Sequence, residues 1–306
     1  RRDQPMTSIH NRIRELARRR NAIILAHNYQ PPEIQDVADF RGDSLELSRK
    51  AAATNAEVIV FCGVYFMAET AAILSPSKQV LIPEPQAGCA MVTMAPIEAI
   101  REFKAKHPGA IVVTYVNSSA AVKAESDICC TSDNATKVVA ELPADAKILF
   151  VPDRNLGHHV QQVTGREMIL FPGCCPIHDQ LTPGMIRAAR KAHPGAPLMI
   201  HPESPPATTA LADAVLSTSG MLRYVRDSAA QEFIVATEVG MLHRLGTENP
   251  GKTFHPVSGK LVCPDMKCIT LEKVLHSLES MTHVVSVPEP MRLAALRAVE
   301  RMVQTR

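Results

Sequence analysis

Short apolar runs alternate with longer amphipathic stretches along this chain, and the alternation occurs three times. The runs 21–27, 109–115 and 195–201 each read as a strand. Aligned on Ala22, Ala110 and Ala196, they lie 88 and then 86 residues apart. Amphipathic spacing before two of them predicts helices: Ile97, Ile100 and Phe103 ahead of Pro108, and Met185, Ile186 and Ala189 ahead of Pro194. After each first strand comes a helix start rich in Ser, Thr and Asp: Gly42-Asp43-Ser44, Thr131-Ser132-Asp133 and Ser217-Thr218-Ser219. A second apolar run follows at 58–61, 148–151 and 233–235. A third lies at 80–82, at 168–171 and, more weakly, near Phe254. The third runs end at Pro83, Pro172 and Pro256, and a cysteine stands within a few residues of each: Cys89, Cys175 and Cys263.

Helices alternating with short apolar strands predict the α/β class, as three homologous three-layer domains with parallel sheets. The period exceeds that of a solenoid repeat and points to triplication of a domain. The predicted spans are 1–94 with an N-terminal helix, 95–181, 182–269, and a C-terminal helical segment 270–306 packing back on the repeats. Ligands of such sheets gather beyond the carboxyl ends of the strands. Three domains around a pseudo-threefold axis would therefore share one site at their junction.

Composition narrows the partners. Lys plus Arg number 33 against 31 Asp plus Glu, a net charge of +2. That balance gives no reason to expect nucleic acid or an anionic membrane. No apolar run approaches the ~20 residues of a membrane span. The segment Arg1–Pro5 lacks the apolar core of a signal peptide, so a cytoplasmic location is expected. Eight cysteines in a chain of this kind argue against a disulfide framework. Buried inert thiols account for most of them; metal or cluster ligation is the sharper reading for a few.

Capping alone accounts for Ser44, Ser132 and Thr218 at the helix starts. A helix N-terminus is also an anion site, and both readings can hold together. The first-strand ends, His27-Asn28-Tyr29, Tyr115-Val116-Asn117 and His201-Pro202-Glu203, supply hydrogen-bond donors and a candidate proton-transfer pair. Glu203 becomes a candidate general base if burial raises its pKa. Cys89, Cys175 and Cys263 are 86 and 88 residues apart, so the repeat would bring them together. Three thiolates on a four-iron cube leave one iron open to act as a Lewis acid on a substrate oxygen. The offsets do not choose between Cys174 and Cys175, and Cys268 lies near Cys263. A structural zinc on Cys175, His178, Cys263 and Cys268 is the competing metal reading. Gly42-Asp43-Ser44-Leu45 spells an esterase nucleophile motif, but the partner Asp-x-x-His is absent late in the chain. No glycine-rich phosphate loop or dinucleotide fingerprint occurs.

From about Ile23 to its C-terminus the chain resembles the quinolinate synthase A family of de novo NAD biosynthesis. The motifs are Ala26–Gln30, Glu33–Asp39, Gly42–Ser48, Ala87-Gly-Cys89, Tyr115–Ser118, Thr131-Ser132 with Asn134-Ala135, Gly173-x-Cys175-x-x-His178, His201–Ser204, Ser217–Met221, Thr237-Glu-x-Gly240 and Cys263-x-x-Met-Lys267. The resemblance implies a [4Fe–4S] cluster on Cys89, Cys175 and Cys263, which also selects Cys175 over Cys174 and Cys263 over Cys268. It implies a transferase that condenses iminoaspartate with dihydroxyacetone phosphate to quinolinate, losing phosphate and water. Substrate carboxylates and phosphate would be held by His27, Ser44, Ser132, His201, Ser217 and Thr218. Tyr29, Tyr115 and Asn117 would position intermediates, and Glu203 with Tyr29 and His201 would transfer protons. His178 and Met266 would sit near the cluster. A transient contact with the oxidase that produces iminoaspartate is an expectation of the same kind, and monomer and homodimer both stay open.

Some positions depart from the family pattern: Phe171 in place of Trp, Ala90–Thr93 in place of an Ala-Asp pair, and Asp133 in place of Ser. Asp133 adds negative charge beside a proposed anion site. Two other classes of function remain as alternatives, a zinc-stabilised non-catalytic metabolite-binding protein and an inactive triplicated scaffold.

Overall fold

The computed structural model describes residues 8–305; the Arg1–Pro5 segment lies outside the described residues. The fold is three-layer α/β, with three parallel four-stranded sheets flanked by helices. The first contains β1 (Ala22–His27), β2 (Phe40–Gly42), β3 (Val58–Cys62) and β4 (Gln79–Leu81). In the second are β5 (Ile111–Tyr115), β6 (Ile128–Cys130), β7 (Ile148–Val151) and β8 (Ile169–Leu170). β9 (Leu198–Ile200), β10 (Ala214–Val215), β11 (Glu232–Ala236) and β12 (Thr253–Pro256) form the third. Their strand orders are equivalent: β2-β1-β3-β4, β6-β5-β7-β8 and β10-β9-β11-β12.

The strands expected from the apolar runs are present. Three others, β2, β6 and β10, are not among those runs. They have two or three residues each and flank β1, β5 and β9. One bond recurs at each of these margins. The carboxylates of Asp39, Asp127 and Asp213 accept the backbone N–H of Ile24, Val112 and Leu198 at 2.8, 2.8 and 2.7 Å. The three aspartates keep the 88 and 86 offsets of the strands. The turn entering each first strand also repeats: Asn21, Gly109 and Gly195 have φ of 48°, 77° and 88°. Only Gly, or Asn with its short polar side chain, enters that left-handed region cheaply.

Both faces of each sheet are buried, and alternation along the strands sorts their side chains. Leu25, Ile59 and Phe61 of the first sheet join Val113 and Phe150 of the second and Phe233 and Val235 of the third in one contiguous apolar cluster. Their sequence neighbours face separate outer cores: Ile24 and Val60; Val112 and Leu149; Ile200 and Ile234. The helix Glu289–Gln304 places Ala295, Ala298, Val299 and Met302 in the shared cluster. Each large aliphatic or aromatic side chain buried there contributes about 1.5–3 kcal/mol. Among the described residues, no helix is long and apolar enough to cross a membrane.

Candidate active site

One cavity of about 190 Å³ is lined by residues that follow strands of all three sheets. From the first come His27 at the end of β1, Tyr29 just past it, Ser44 after β2, and Cys89. Tyr115, Asn117, Ser132, Cys175 and His178 come from the second. His201, Glu203, Thr218 and Cys263 come from the third. Every site residue expected from the sequence lines this cavity except Ser217. That hydroxyl donates to Asp133 Oδ1 at 2.6 Å and accepts the Gly220 N–H at 2.9 Å. Asp133 also accepts from Arg223 at 2.6 Å, so the charge it adds is matched by a guanidinium.

The helix starts differ from the capping expectation. Asp43 caps the helix Ser44–Ala53, accepting from Leu45 and Glu46, and Ser217 caps Thr218–Asp227. Ser44 and Thr218 are thus the first helical residues rather than the caps, with backbone N–H groups at the positive end of a helix. Ser132 precedes Asn134, the residue at the start of Ala135–Ala140. Asn28 holds the Thr218 hydroxyl at 2.8 Å, and Arg244 in turn holds Asn28 at 2.7 Å. Two buried oxygens on cavity residues, Asn117 Oδ1 and Asp43 Oδ2, have no hydrogen-bond partner. Unpartnered buried polar atoms are rare, and here they are available to a ligand. Burial, with Glu46 beside it, lifts the Asp43 carboxyl to about 6.

Glu203 is the centre of a continuous polar chain. Its Oε1 accepts from the Tyr115 hydroxyl at 2.5 Å, and its Oε2 lies 2.7 Å from His178 Nδ1. His178 Nε2 is 2.8 Å from Thr237 Oγ1, which is 2.6 Å from the Tyr29 hydroxyl. One set of protons satisfies every link. Tyr29 donates to Thr237, Thr237 donates to His178 Nε2, and Nδ1–H donates to Glu203. Burial would raise the Glu203 carboxyl, but His201, His178 and Tyr115 outweigh it and hold the group down at about 2. The condition set in the sequence, a pKa raised by burial, is therefore reversed: Glu203 is a stabilised carboxylate. Burial and that same carboxylate keep both tyrosines protonated, far above their ordinary range.

His27 and His201 repeat one local geometry. Nδ1 of each accepts the backbone N–H two residues on, from Tyr29 at 3.2 Å and Glu203 at 3.4 Å. Burial pulls both imidazoles down to about 3, against the opposing pull of Glu203. Each ring is therefore neutral with its proton on Nε2.

The thiols are set on turns. Cys89 and Cys175 immediately precede the helices Ala90–Met94 and Pro176–Asp179, and Cys263 precedes the 3₁₀ turn Asp265–Lys267. Backbone N–H groups reach each sulfur: from Met91 and Val92 to Cys89, from His178 to Cys175, and from Met266 and Asp265 to Cys263. Carboxyl groups anchor the backbone beside them. Asp153 accepts the Cys175 N–H at 3.0 Å, Glu238 the Cys263 N–H at 3.2 Å, and Asp265 the Gly88 N–H at 3.0 Å. Burial pushes Cys89 up to about 12 and Cys263 to about 11, and it lifts Cys175 well above the usual thiol range, with Glu203 adding to it. Thiols so buried ionise when a cation takes the proton's place, and their N–H···S bonds are the kind that tune metal thiolates.

The neighbouring cysteines turn elsewhere. Cys174 interacts with Arg154 and Asp179, and Cys268 donates to the Pro264 carbonyl at 3.3 Å. Neither lines the cavity. Donor atoms of Cys175, His178 and Glu203 lie within 4.8 Å of one another, a grouping able to hold a metal ion.

Thr237, Glu238 and Asp43 are site residues absent from the set drawn from the sequence. Thr237 and Glu238 stand just after β11, the position of polar groups in the other sheets, and that placement is the signal that could have found them. Thr237→Val keeps the shape but cuts the chain between Tyr29 and His178. It is expected to lower kcat roughly tenfold or more with little change in KM; steady-state kinetics checks this. Gly240→Ala would place a Cβ 2.6 Å from the Tyr29 carbonyl oxygen and 2.8 Å from Glu238 Oε2. Thermal unfolding is expected to show a loss of about 1–3 kcal/mol.

The family model described as Quinolinate synthetase A protein matches residues 11–304. The quinolinate synthase of Dehalococcoides mccartyi is 58% identical over 296 residues, covering 97% of this chain and 98% of the relative. That of Desulforudis audaxviator is 55% identical over 291 residues, 95% and 96% of the two chains. For the Thermus thermophilus protein the identity is 55% over 295 residues, 95% of each chain. With near-complete coverage at this identity, the chain belongs to the quinolinate synthetase A family of enzymes.

Proposed function

We propose that this chain condenses iminoaspartate with dihydroxyacetone phosphate to quinolinate, with loss of phosphate and water, as a cytoplasmic step of NAD biosynthesis. The observation that carries the reading is the meeting of Cys89, Cys175 and Cys263 with the Glu203–His178 chain in one cavity. A [4Fe–4S] cluster is the cofactor this set suits: three soft donors, one from each repeat, with backbone N–H groups at the sulfurs. When bound, such a cluster supplies Lewis acidity toward a substrate oxygen through the iron that lacks a thiolate.

The remaining roles belong to the chain's own groups. Ser44 and Thr218, with their helix N-termini, suit the carboxylates and phosphate of the substrates. His27 and His201 offer neutral Nε2–H donors to carbonyl or carboxylate oxygens. Asn117 Oδ1 is free to accept from an amine or hydroxyl. Glu203 is ionised and orients His178 through its Nδ1–H; His178, Thr237 and Tyr29 pass protons along, and Tyr115 steadies the carboxylate. The same reading divides the chain into 1–94, 95–181, 182–269 and 270–306, since each sheet falls within one of the first three spans. It puts the three repeats around a pseudo-threefold axis, which their equivalent strand orders and common cavity support.

The grouping of Cys175, His178 and Glu203 favours a second reading, a single zinc ion. That would leave Cys89 and Cys263 beside the cavity without a role. Iron, sulfide and zinc analysis after anaerobic purification separates the two. About four irons and four sulfides per chain are expected for the cube; bound zinc without sulfide would sink the cluster reading.

A further inference from the structure

A second group of ligating side chains stands outside the cavity. His193 follows the helix Pro183–Ala192, Glu232 opens β11, and His255 lies in β12. The register pairs Glu232 with Thr253 and Ile234 with His255. Alternation then puts Glu232, Ile234 and His255 on one face of the third sheet. Ile186 of the helix packs with Ile234 in the core on that face, which carries the end of the helix over the two strands. The rings of His193 and His255 stack, with centroids 3.5 Å and planes 12° apart. His255 Nε2 is 3.2 Å from Glu232 Oε2. One donor atom from each of the three residues lies within 4.8 Å of the other two. Glu232 is exposed and both histidines are half-buried, so an ion from solvent can reach them. The cavity residues of this repeat lie past the carboxyl ends of β9 to β12, whereas Glu232 sits at the amino end of β11.

We propose that His193, Glu232 and His255 form a surface site for a divalent first-row transition ion of the zinc type. Two imidazoles and one carboxylate favour such ions over magnesium or calcium, which prefer all-oxygen shells. Tetrahedral zinc with bonds of about 2.0–2.1 Å needs donors about 3.4 Å apart. Half-buried and exposed side chains can close from the present spacing by rotation, and water fills the fourth position. The ion ties the end of the helix to β11 and β12, and so stabilises the third repeat without touching the cavity. The stacked pair and its carboxylate could instead be plain surface packing, and the two readings differ in metal uptake.

The test uses anaerobically purified protein that retains its native iron and sulfide. It is equilibrated with micromolar zinc sulfate, desalted and assayed for zinc and iron. The wild type is expected to gain one zinc per chain with iron unchanged, and to unfold at a higher temperature with zinc than without. His255→Ala and Glu232→Gln are each expected to weaken uptake by about tenfold or more. Both keep the wild-type iron content and zinc-free unfolding temperature. Equal zinc uptake by the wild type and both variants would overturn the site, as would no uptake by the wild type. Zinc gained in step with iron lost would assign the ion to the cavity cysteines and overturn it too. No readout depends on quinolinate formation, so this site and the proposed reaction stand or fall separately.

Discussion

Cys175→Ala is expected to abolish both cluster retention and quinolinate formation, while Cys174→Ala keeps both. The two residues are adjacent in sequence, so the contrast tests geometry rather than cysteine content. Cys175 lines the cavity, lies 3.3 Å from His178 Nδ1, and has its backbone N–H held by Asp153. Cys174 lies outside the cavity beside Arg154 and Asp179. Losing one of three thiolates leaves a cube with two protein ligands, which chelators and oxygen remove readily. Iron and sulfide in the Cys175→Ala protein should therefore fall to background after desalting. The same pairing separates Cys263 from Cys268. Loss of iron from Cys174→Ala, with retention in Cys175→Ala, would show that the ligand set is misassigned.

The second large effect is expected at Glu203. Glu203→Gln keeps volume but removes the charge, and it turns one acceptor oxygen into an NH₂ group. The NH₂ cannot accept, so whichever of the Tyr115 hydroxyl and His178 Nδ1–H faces it loses its bond. Removal of a carboxylate that orients a proton-transferring histidine costs up to roughly 10⁴-fold in rate. The expected result is a fall of that size in kcat, with KM and iron content near wild-type values. A variant that turns over at the wild-type rate would take that orienting role away from Glu203. A fall in KM as large as the fall in kcat would instead mark a residue that strains bound substrate.

Much of this arrangement was legible in the chain because triplication writes it three times. Offsets of 88 and 86 residues located the first strands, and offsets of 86 and 88 the cysteines. The strand offsets also hold for two features that no apolar run reports, Asp39/Asp127/Asp213 and Asn21/Gly109/Gly195. The strands β2, β6 and β10 escaped because two or three residues carry too little alternation to register as a period. At the helix starts, Ser and Thr favour both the cap and the first turn. Sequence therefore could not show that Asp43 and Ser217 take the capping role and leave Ser44 and Thr218 one position further on. Glu203 illustrates a different limit. Its proximity to His178 and Tyr115 joins two repeats, and no local pattern reports such a contact or the sign of the shift it causes. Cavity lining adds a physical ground for choosing Cys175 and Cys263 over their neighbours, where repeat arithmetic alone was neutral.

The most direct test of the reaction is an anaerobic assay of the iron–sulfur-loaded chain with iminoaspartate and dihydroxyacetone phosphate, following quinolinate and inorganic phosphate together. The two products are expected to appear in equal amounts, and only when both substrates and the intact cluster are present. A chain that holds its iron and sulfide yet forms no quinolinate would contradict the proposed function.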